Sequence, residues 1–161
     1  MSKHIPLSQG RFAIVDDEDY EMLSSIGKWS LNAGYAARTQ RSKETDGKQK
    51  FISMHRLILN APKEYIVDHI NGNKLDNRKS NLRLCTDSQN LKNQGKRKAN
   101  TSGYKGVFWH IRQNRWIAKL YSNKKCIYLG MYDCPIEAAK AYNAGALKHH
   151  GEFANLNQIP E

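Results

Sequence analysis

The sequence has few cysteines, and their spacing excludes two common kinds of small domain. Its 161 residues include only Cys85, Cys126 and Cys134. Three cysteines cannot all pair with one another, and no two of them stand in a C-x-x-C spacing. A disulfide framework and a zinc ribbon are therefore excluded, and the pattern predicts three reduced, partly buried thiols.

Long apolar runs are absent as well. No stretch approaches the roughly 18 apolar residues of a transmembrane helix. An acidic run, Asp16 to Asp19, interrupts the region where a secretory signal would need apolar residues. We therefore expect an intracellular, cytoplasmic protein without a membrane partner. The length allows one domain of ordinary size or two small ones.

The C-terminal half lacks acidic residues over a long window. None occurs between Asp87 and Asp133, a window that contains ten Lys and Arg residues. The formal charge is +11, of which residues 1–90 contribute +3 and residues 91–161 contribute +8. Aromatic residues among these charges favour a folded surface that binds a polyanion, above all nucleic acid. The alternative is a solvated basic face that only keeps the protein in solution.

A polar, basic stretch without large apolar residues lies between two units. We predict a first domain over residues 1–94, a linker over residues 95–102 and a second domain over residues 103–157. In the second domain, aromatic and apolar runs over residues 104–111, 115–121 and 125–131 predict three antiparallel strands. Pro135 then opens a helix that ends at Gly151. The predicted class is α+β, in which this sheet packs on one helix and keeps its other face open for binding.

The first domain has a strand, loop, strand, helix pattern with polar residues at its ends. Residues 65–67 predict a strand that delivers Asp68 and His69, and residues 82–84 predict a second strand. Residues 86–89 form a T-x-x-Q capping box, which puts Asn90 in the first turn of a helix. Since neighbours in a strand point to opposite faces, Asp68, His69 and Asn90 converge only if the first strand bends at its end.

A carboxylate, an imidazole and a carboxamide at one point suit phosphodiester hydrolysis. The oxygen atoms of Asp68 and Asn90 suit a hard divalent cation, Mg²⁺ or Mn²⁺. His69, neutral at cellular pH, would accept the proton of the attacking water. The same residues would be a common structural pair if they stood alone, so their order along the chain decides between the two interpretations.

That order resembles the HNH endonucleases of the His-Me finger superfamily, particularly the intron-encoded phage and bacterial branch. The resemblance rests on His55-Arg56-Leu57, Asp68-His69, Asn81-Leu82 and Asn90, and it covers about residues 51–94. It implies a ββα-metal module and assigns a role to each polar residue. His69 is the general base, Asp68 and Asn90 are metal ligands, Asn81 orients His69 or pins the loop, and His55 buttresses the finger. Many relatives end the motif in His or carry Cys-x-x-Cys pairs; this chain has neither, so zinc is not expected.

The second half resembles the DNA-binding domain of plant Apetala and ethylene-response factors, which also occurs fused to phage HNH nucleases. Tyr104-Lys-Gly-Val107, Trp116-Ile-Ala118, Tyr128-Leu-Gly130 and the helix sequence over residues 137–142 match its pattern, over residues 102–157. The resemblance implies that alternate sheet residues enter the major groove: Lys105, Phe108, His110, Lys119, Tyr121, Cys126 and Tyr128. Turn and linker cations would bind phosphates: Arg115, Lys124, Lys125, Lys96, Arg97 and Lys98.

Together these features predict a metal-dependent endonuclease of the homing type that cuts double-stranded DNA in a bacterial host or a phage-infected cell. One chain holds one site, so we expect a monomer or a DNA-induced dimer, without an obligate protein partner. Two alternatives stay open at this point. The first is a DNA-binding regulator with a degenerate nuclease half, and the second is a protein that binds or cuts RNA.

Overall fold

Helices and short antiparallel strands alternate along the chain, which confirms the predicted α+β class. The structure is a computed structural model that describes residues 1–41, 49–96 and 98–160. These residues fall into two compact units, Met1–Asp87 and Ser88–Glu161. No helix in the described ranges is long and apolar enough to cross a membrane.

The first unit begins with a β-hairpin that packs on a short helix. Strands β1 (Ser2–Pro6) and β2 (Phe12–Asp16) pair antiparallel, and helix α1 (Asp17–Ser25) follows directly. The core beneath them includes the fully buried Val15 and Leu23. Trp29 is also buried in this core, and its indole Nε1 donates a hydrogen bond of 2.8 Å to the Leu23 carbonyl. The indole thereby satisfies its polar atom while it buries its rings.

A second sheet of three strands follows. It consists of β3 (Ser30–Asn32), β4 (Tyr35–Arg41) and β5 (Gln49–Ser53), in that order, and leads into helix α2 (Met54–Ile58). Between β3 and β4 the chain turns in two residues, Ala33 and Gly34, with φ of 50° and 85°. A two-residue turn with both φ values positive matches the twist of a hairpin, and it brings Tyr35 to the start of β4.

The strand pair predicted from the first domain is present. Strands β6 (Ile66–His69) and β7 (Leu82–Cys85) pair antiparallel, with His69 opposite Leu82. The loop between them, residues 70–81, is bonded to the edge of β2. The Ile14 amide donates to the Leu75 carbonyl over 2.8 Å, and the Asn77 amide donates to the Ile14 carbonyl over 2.7 Å. These bonds hold the loop on the N-terminal sheet.

Helix α3 (Asp87–Asn93) packs mainly with the second unit. The Lys105 ammonium donates to the Lys92 carbonyl over 2.6 Å, and the Asn155 amide donates to the Asn93 carbonyl over 2.9 Å. The division between the units therefore falls after Asp87, whereas the sequence predicts it at residues 95–102. Contacts across 13 and 62 residues of chain decide this boundary, and composition does not record them.

The second unit is a three-stranded antiparallel sheet covered by one long helix, as predicted. Strands β8 (Val107–His110), β9 (Arg115–Ser122) and β10 (Lys125–Tyr132) pair with β9 in the centre, and helix α4 spans Pro135–His150. The buried face of this helix includes three alanines, Gly145, Tyr142 and His150. Small side chains let the helix lie close to the sheet, where the buried partners are Val107, Ala118 and Leu120.

Gly106 is required where the chain enters β8, and a neighbouring glycine offers a control. A Cβ at Gly106 would lie 2.0 Å from the Tyr142 ring, whereas a Cβ at Gly103 would meet nothing within 4 Å. The φ angle is 80° at Gly103 and 75° at Gly106. We expect Gly103→Ala to cost about 1 kcal/mol, from backbone strain alone. Gly106→Ala should cost about 3 kcal/mol or more, because overpacking adds to the strain.

Urea unfolding of the two variants measures this difference. Equal free energies of unfolding for Gly103→Ala and Gly106→Ala would contradict the packing of Tyr142 against this turn.

Candidate active site

His69 ends β6 in a cluster of three rings. Its imidazole is 5% exposed, and that of His55, in α2, is 7% exposed. Their ring centroids lie 5.2 Å apart in an edge-on arrangement. The Tyr35 ring contacts both, at centroid distances of 5.1 Å from His55 and 5.9 Å from His69. The two histidines that the sequence motif singled out are therefore brought together, and Tyr35, which the sequence analysis missed, lies against both.

Burial keeps both imidazoles uncharged at neutral pH. Desolvation lowers the pKa of His69, and the side chain of Asn77 and the Asp68 carboxylate partly offset that effect. For His55, burial, assisted by the neighbouring His69 and Arg56, lowers the pKa to about 4. An uncharged imidazole is the form that accepts a proton, so His69 has the protonation state that a general base needs.

Asp68 faces Arg83 across the β6–β7 pair. The two residues are directly opposite in register, and Arg83 donates to Oδ2 of Asp68 from Nε over 3.0 Å and from Nη2 over 2.8 Å. The side chains are 7% and 12% exposed. Sequence reasoning missed Arg83, although the pairing follows once the register of the two strands is known.

The loop over residues 70–81 is organised by a buried carboxylate, Asp76. It accepts hydrogen bonds from the Asn71 amide over 2.9 Å and from Arg78 through Nε and Nη2, each over 2.7 Å. Asn81 completes the arrangement: its Oδ1 accepts from the Asn71 backbone and its Nδ2 donates to the Asp76 carbonyl. These bonds favour the loop-pinning role for Asn81 over the alternative that it orients His69.

Asn90, the second predicted metal ligand, lies half-buried in α3 and belongs to the second unit. Its convergence with Asp68 stays a prediction. Among the described residues, no three His, Cys, Asp or Glu side chains cluster as metal ligands do. The proposed donor set does not require such a cluster, since one carboxylate and one amide oxygen leave the other positions of a hard cation to water and substrate oxygens.

The open face of the second sheet carries most of the predicted DNA-binding residues. Strand register puts one set of side chains on the face opposite α4: Phe108, His110, Arg115, Lys119, Tyr121, Cys126 and Tyr128. The Lys119 ammonium lies 4.8 Å from the centre of the Phe108 ring, and Arg115 forms an ion pair with Asp133. Cys126 is exposed on this face, so the prediction of partial burial is wrong for that thiol. Lys124 occupies the β9–β10 turn and Lys125 follows it.

Besides Arg115, two more of the predicted DNA contacts form bonds within the second unit. Lys105 does not lie on the open face; its ammonium is bonded to α3, and burial lowers its pKa to about 8. The Lys96 ammonium donates to the Gly103 carbonyl over 2.8 Å. Lys98 lies exposed in a turn, and Arg97 lies outside the described residues.

Comparisons with known proteins agree with both halves of this architecture. The profile described as HNH endonuclease matches residues 60–92, and that of the AP2 domain matches residues 102–152. An uncharacterised HNH endonuclease of Acanthamoeba polyphaga mimivirus is 33% identical over 158 residues, which cover 94% of this chain and 77% of that protein. The chain belongs to the HNH endonuclease family.

Other relatives match parts of the chain. Protein 3.8 of Escherichia phage T7 is 44% identical over 95 residues, which cover 59% of this chain and 78% of that protein. An APETALA2-like protein 2 of Oryza sativa subsp. indica is 35% identical over 60 residues, which cover 37% of this chain but only 14% of the plant protein. No solved structure matches. The HNH domain thus has viral relatives, and the AP2 domain also has plant relatives.

The ion pair between Asp68 and Arg83 should stabilise the HNH domain as a unit. Arg83→Met leaves a buried carboxylate without its guanidinium and should lower the free energy of unfolding by about 3 kcal/mol. Asp68→Asn together with Arg83→Met should recover much of this loss, because neither charge remains. Urea unfolding of the single and double variants measures the coupling; losses that simply add would contradict it.

Low pH should destabilise the HNH domain, because the buried His55 imidazole resists protonation. Between its ordinary pKa of 6.5 and its folded pKa of about 4, the unfolded chain binds a proton that the native protein does not. The free energy of unfolding therefore falls as pH falls through this window, by about 2 to 3 kcal/mol at pH 4.5. His55→Gln should remove that part of the pH dependence, and the exposed His149→Gln should keep it. Urea unfolding at pH 7 and pH 4.5 measures both; an unchanged slope in His55→Gln would contradict the assignment.

Proposed function

We propose that the protein is a metal-dependent DNA endonuclease of the homing type, in which the HNH domain hydrolyses a phosphodiester and the AP2 domain binds the duplex. The observation that carries this proposal is the buried His69 next to Asp68, within the residues that match the HNH endonuclease family. The open aromatic and basic face of the second sheet supports double-stranded DNA as the partner.

We propose Asp68 and Asn90 as the ligands of a divalent cation, Mg²⁺ or Mn²⁺, in a ββα-metal arrangement of β6, β7 and α3. The donor chemistry fits, because carboxylate and amide oxygens suit hard cations. When bound, the cation would offset negative charge on the phosphoryl and leaving oxygens.

His69 is the proposed proton acceptor. Its imidazole accepts a proton from the attacking water, whose oxygen forms a bond to phosphorus as the bond from phosphorus to the 3′ oxygen breaks. The leaving 3′ oxygen takes a proton from solvent water, so the products carry a 5′ phosphate and a 3′ hydroxyl. Asn81 holds the loop behind this residue, and His55 with Tyr35 restricts the imidazole to one position.

Cleavage of supercoiled plasmid tests the proposal. The wild-type protein with Mg²⁺ should convert supercoiled DNA to nicked or linear DNA, and EDTA should stop the reaction. His69→Ala should lower the rate by about 100-fold to 10,000-fold, the usual contribution of a general base. His149→Ala, which changes an exposed histidine in α4, serves as the matched control and should keep the wild-type rate.

Two outcomes would contradict the proposal in different ways. If the wild-type protein binds several DNA substrates but leaves them intact with Mg²⁺ or Mn²⁺, a regulator with a degenerate nuclease half is the better description. If RNA is cut while DNA is not, the reaction class stands and the substrate is wrong.

A further inference from the structure

Lys74, in the loop over residues 70–81, is held over an aromatic ring of the active-site cluster. Its ammonium nitrogen lies 4.2 Å from the centre of the Tyr35 ring. The same nitrogen is 3.5 Å from the Ala33 carbonyl, in the β3–β4 turn. A Cβ at Gly34 would lie 3.4 Å from Cδ of Lys74, so the lysine stem runs in van der Waals contact along that turn. An exposed lysine is thereby restricted to a defined place.

Lys74 differs from the other cations of the same loop, which are paired with carboxylates. Arg78 is paired with Asp76, and Lys79 is paired with two carboxylates of α1. Among the residues that the structure describes, Lys74 forms no ion pair with a carboxylate. An ammonium has three N–H donors, and the Ala33 carbonyl and the Tyr35 ring account for two of them. One donor and a full positive charge are left for an anion.

This cation and the proposed general base both contact the Tyr35 ring. The Tyr35 ring that carries the ammonium on its face also contacts the His69 imidazole. A phosphodiester whose attacking water is bonded to His69 would therefore come within reach of the ammonium.

We infer that Lys74 is a catalytic residue that binds a non-bridging oxygen of the phosphate being cleaved, and that Tyr35 positions its ammonium. The inference rests on the proposed function. The cation–π contact and the turn limit the freedom of the lysine before the substrate arrives, so little ordering remains to be done in the reacting state. A phosphate gains negative charge on its non-bridging oxygens as the attacking oxygen approaches, and the fixed ammonium is complementary to that charge.

Single-turnover cleavage at saturating protein tests Lys74. Lys74→Met should lower the rate by about 10- to 100-fold, the value of one charge-assisted hydrogen bond in the transition state. Lys74→Arg should restore a large part of the rate. The affinity for uncleaved DNA, measured with Ca²⁺ in place of Mg²⁺, should change by about twofold at most, because one contact among many is removed. Lys79→Met, in the same loop but already paired with carboxylates, is the matched control and should cleave like wild type.

A double-mutant cycle tests the positioning role of Tyr35. Tyr35→Phe keeps the aromatic face and should cleave within about twofold of wild type. Tyr35→Leu removes the face and should lower the rate by about 3- to 30-fold. In the Lys74→Met background, Tyr35→Leu should have much less effect, because the ammonium that the ring holds is already gone. A Tyr35→Leu effect of the same size in both backgrounds would show that Tyr35 only buttresses the imidazoles.

The outcomes separate this inference from the proposed function. If the wild-type protein cleaves and His69→Ala does not, while Lys74→Met cleaves at the wild-type rate, the inference is overturned and the nuclease proposal stands. Full recovery of the Lys74→Met rate at higher protein concentration would also overturn it, since the loss would then be one of binding alone. Urea unfolding confirms that each variant is folded, and Lys74→Gln repeats the test if Lys74→Met is not.

Discussion

The buried carboxylate of Asp76 is the constraint on which the candidate active site depends. It is 2% exposed and is satisfied by the Asn71 amide and the Arg78 guanidinium, while its backbone carbonyl accepts from Asn81. Without these donors the charge would be too costly to bury. The arrangement fixes the two ends of the loop over residues 70–81 relative to each other. The end of β6 at His69 and the position of Lys74 both follow from that loop.

In the first unit, buried carboxylates and buried imidazoles are accommodated in different ways. Three carboxylates are buried among the described residues of this unit, and each has a cationic partner: Asp19 with Lys79, Asp68 with Arg83 and Asp76 with Arg78. For the two buried histidines of this unit, His55 and His69, burial lowers the pKa and favours the neutral form. The acids therefore lie next to cations, while burial favours the neutral imidazole, which keeps a lone pair. A carboxylate proposed as a metal ligand and an imidazole proposed as a proton acceptor can then coexist on adjacent residues, which is the chemical requirement of the proposed reaction.

Sequence patterns predicted those features of the protein that short segments of the chain determine by themselves. The α+β class, the three strands and helix of the second unit, and the strand pair that ends at His69 follow from periodicity, turn residues and a known motif. Arg83, Asp76 and Tyr35 were missed, because their roles depend on register and on contacts across the chain. Tyr35 lies 34 residues from His69 in the sequence, and nothing in its neighbourhood distinguishes it from a core tyrosine.

The second unit shows why a lysine in a basic segment need not be a DNA contact. Composition cannot separate Lys105, which is bonded to the last turn of α3, from Lys119, which lies over Phe108 on the open face. Their positions in the fold distinguish the two lysines. Since α3 carries Asn90 and is tied at its end by Lys105 and Asn155, the position of Asn90 is set by the unit that holds the DNA-binding face. The basic residues of this half therefore divide into those left for phosphates and those that fix the helix of the proposed metal ligand.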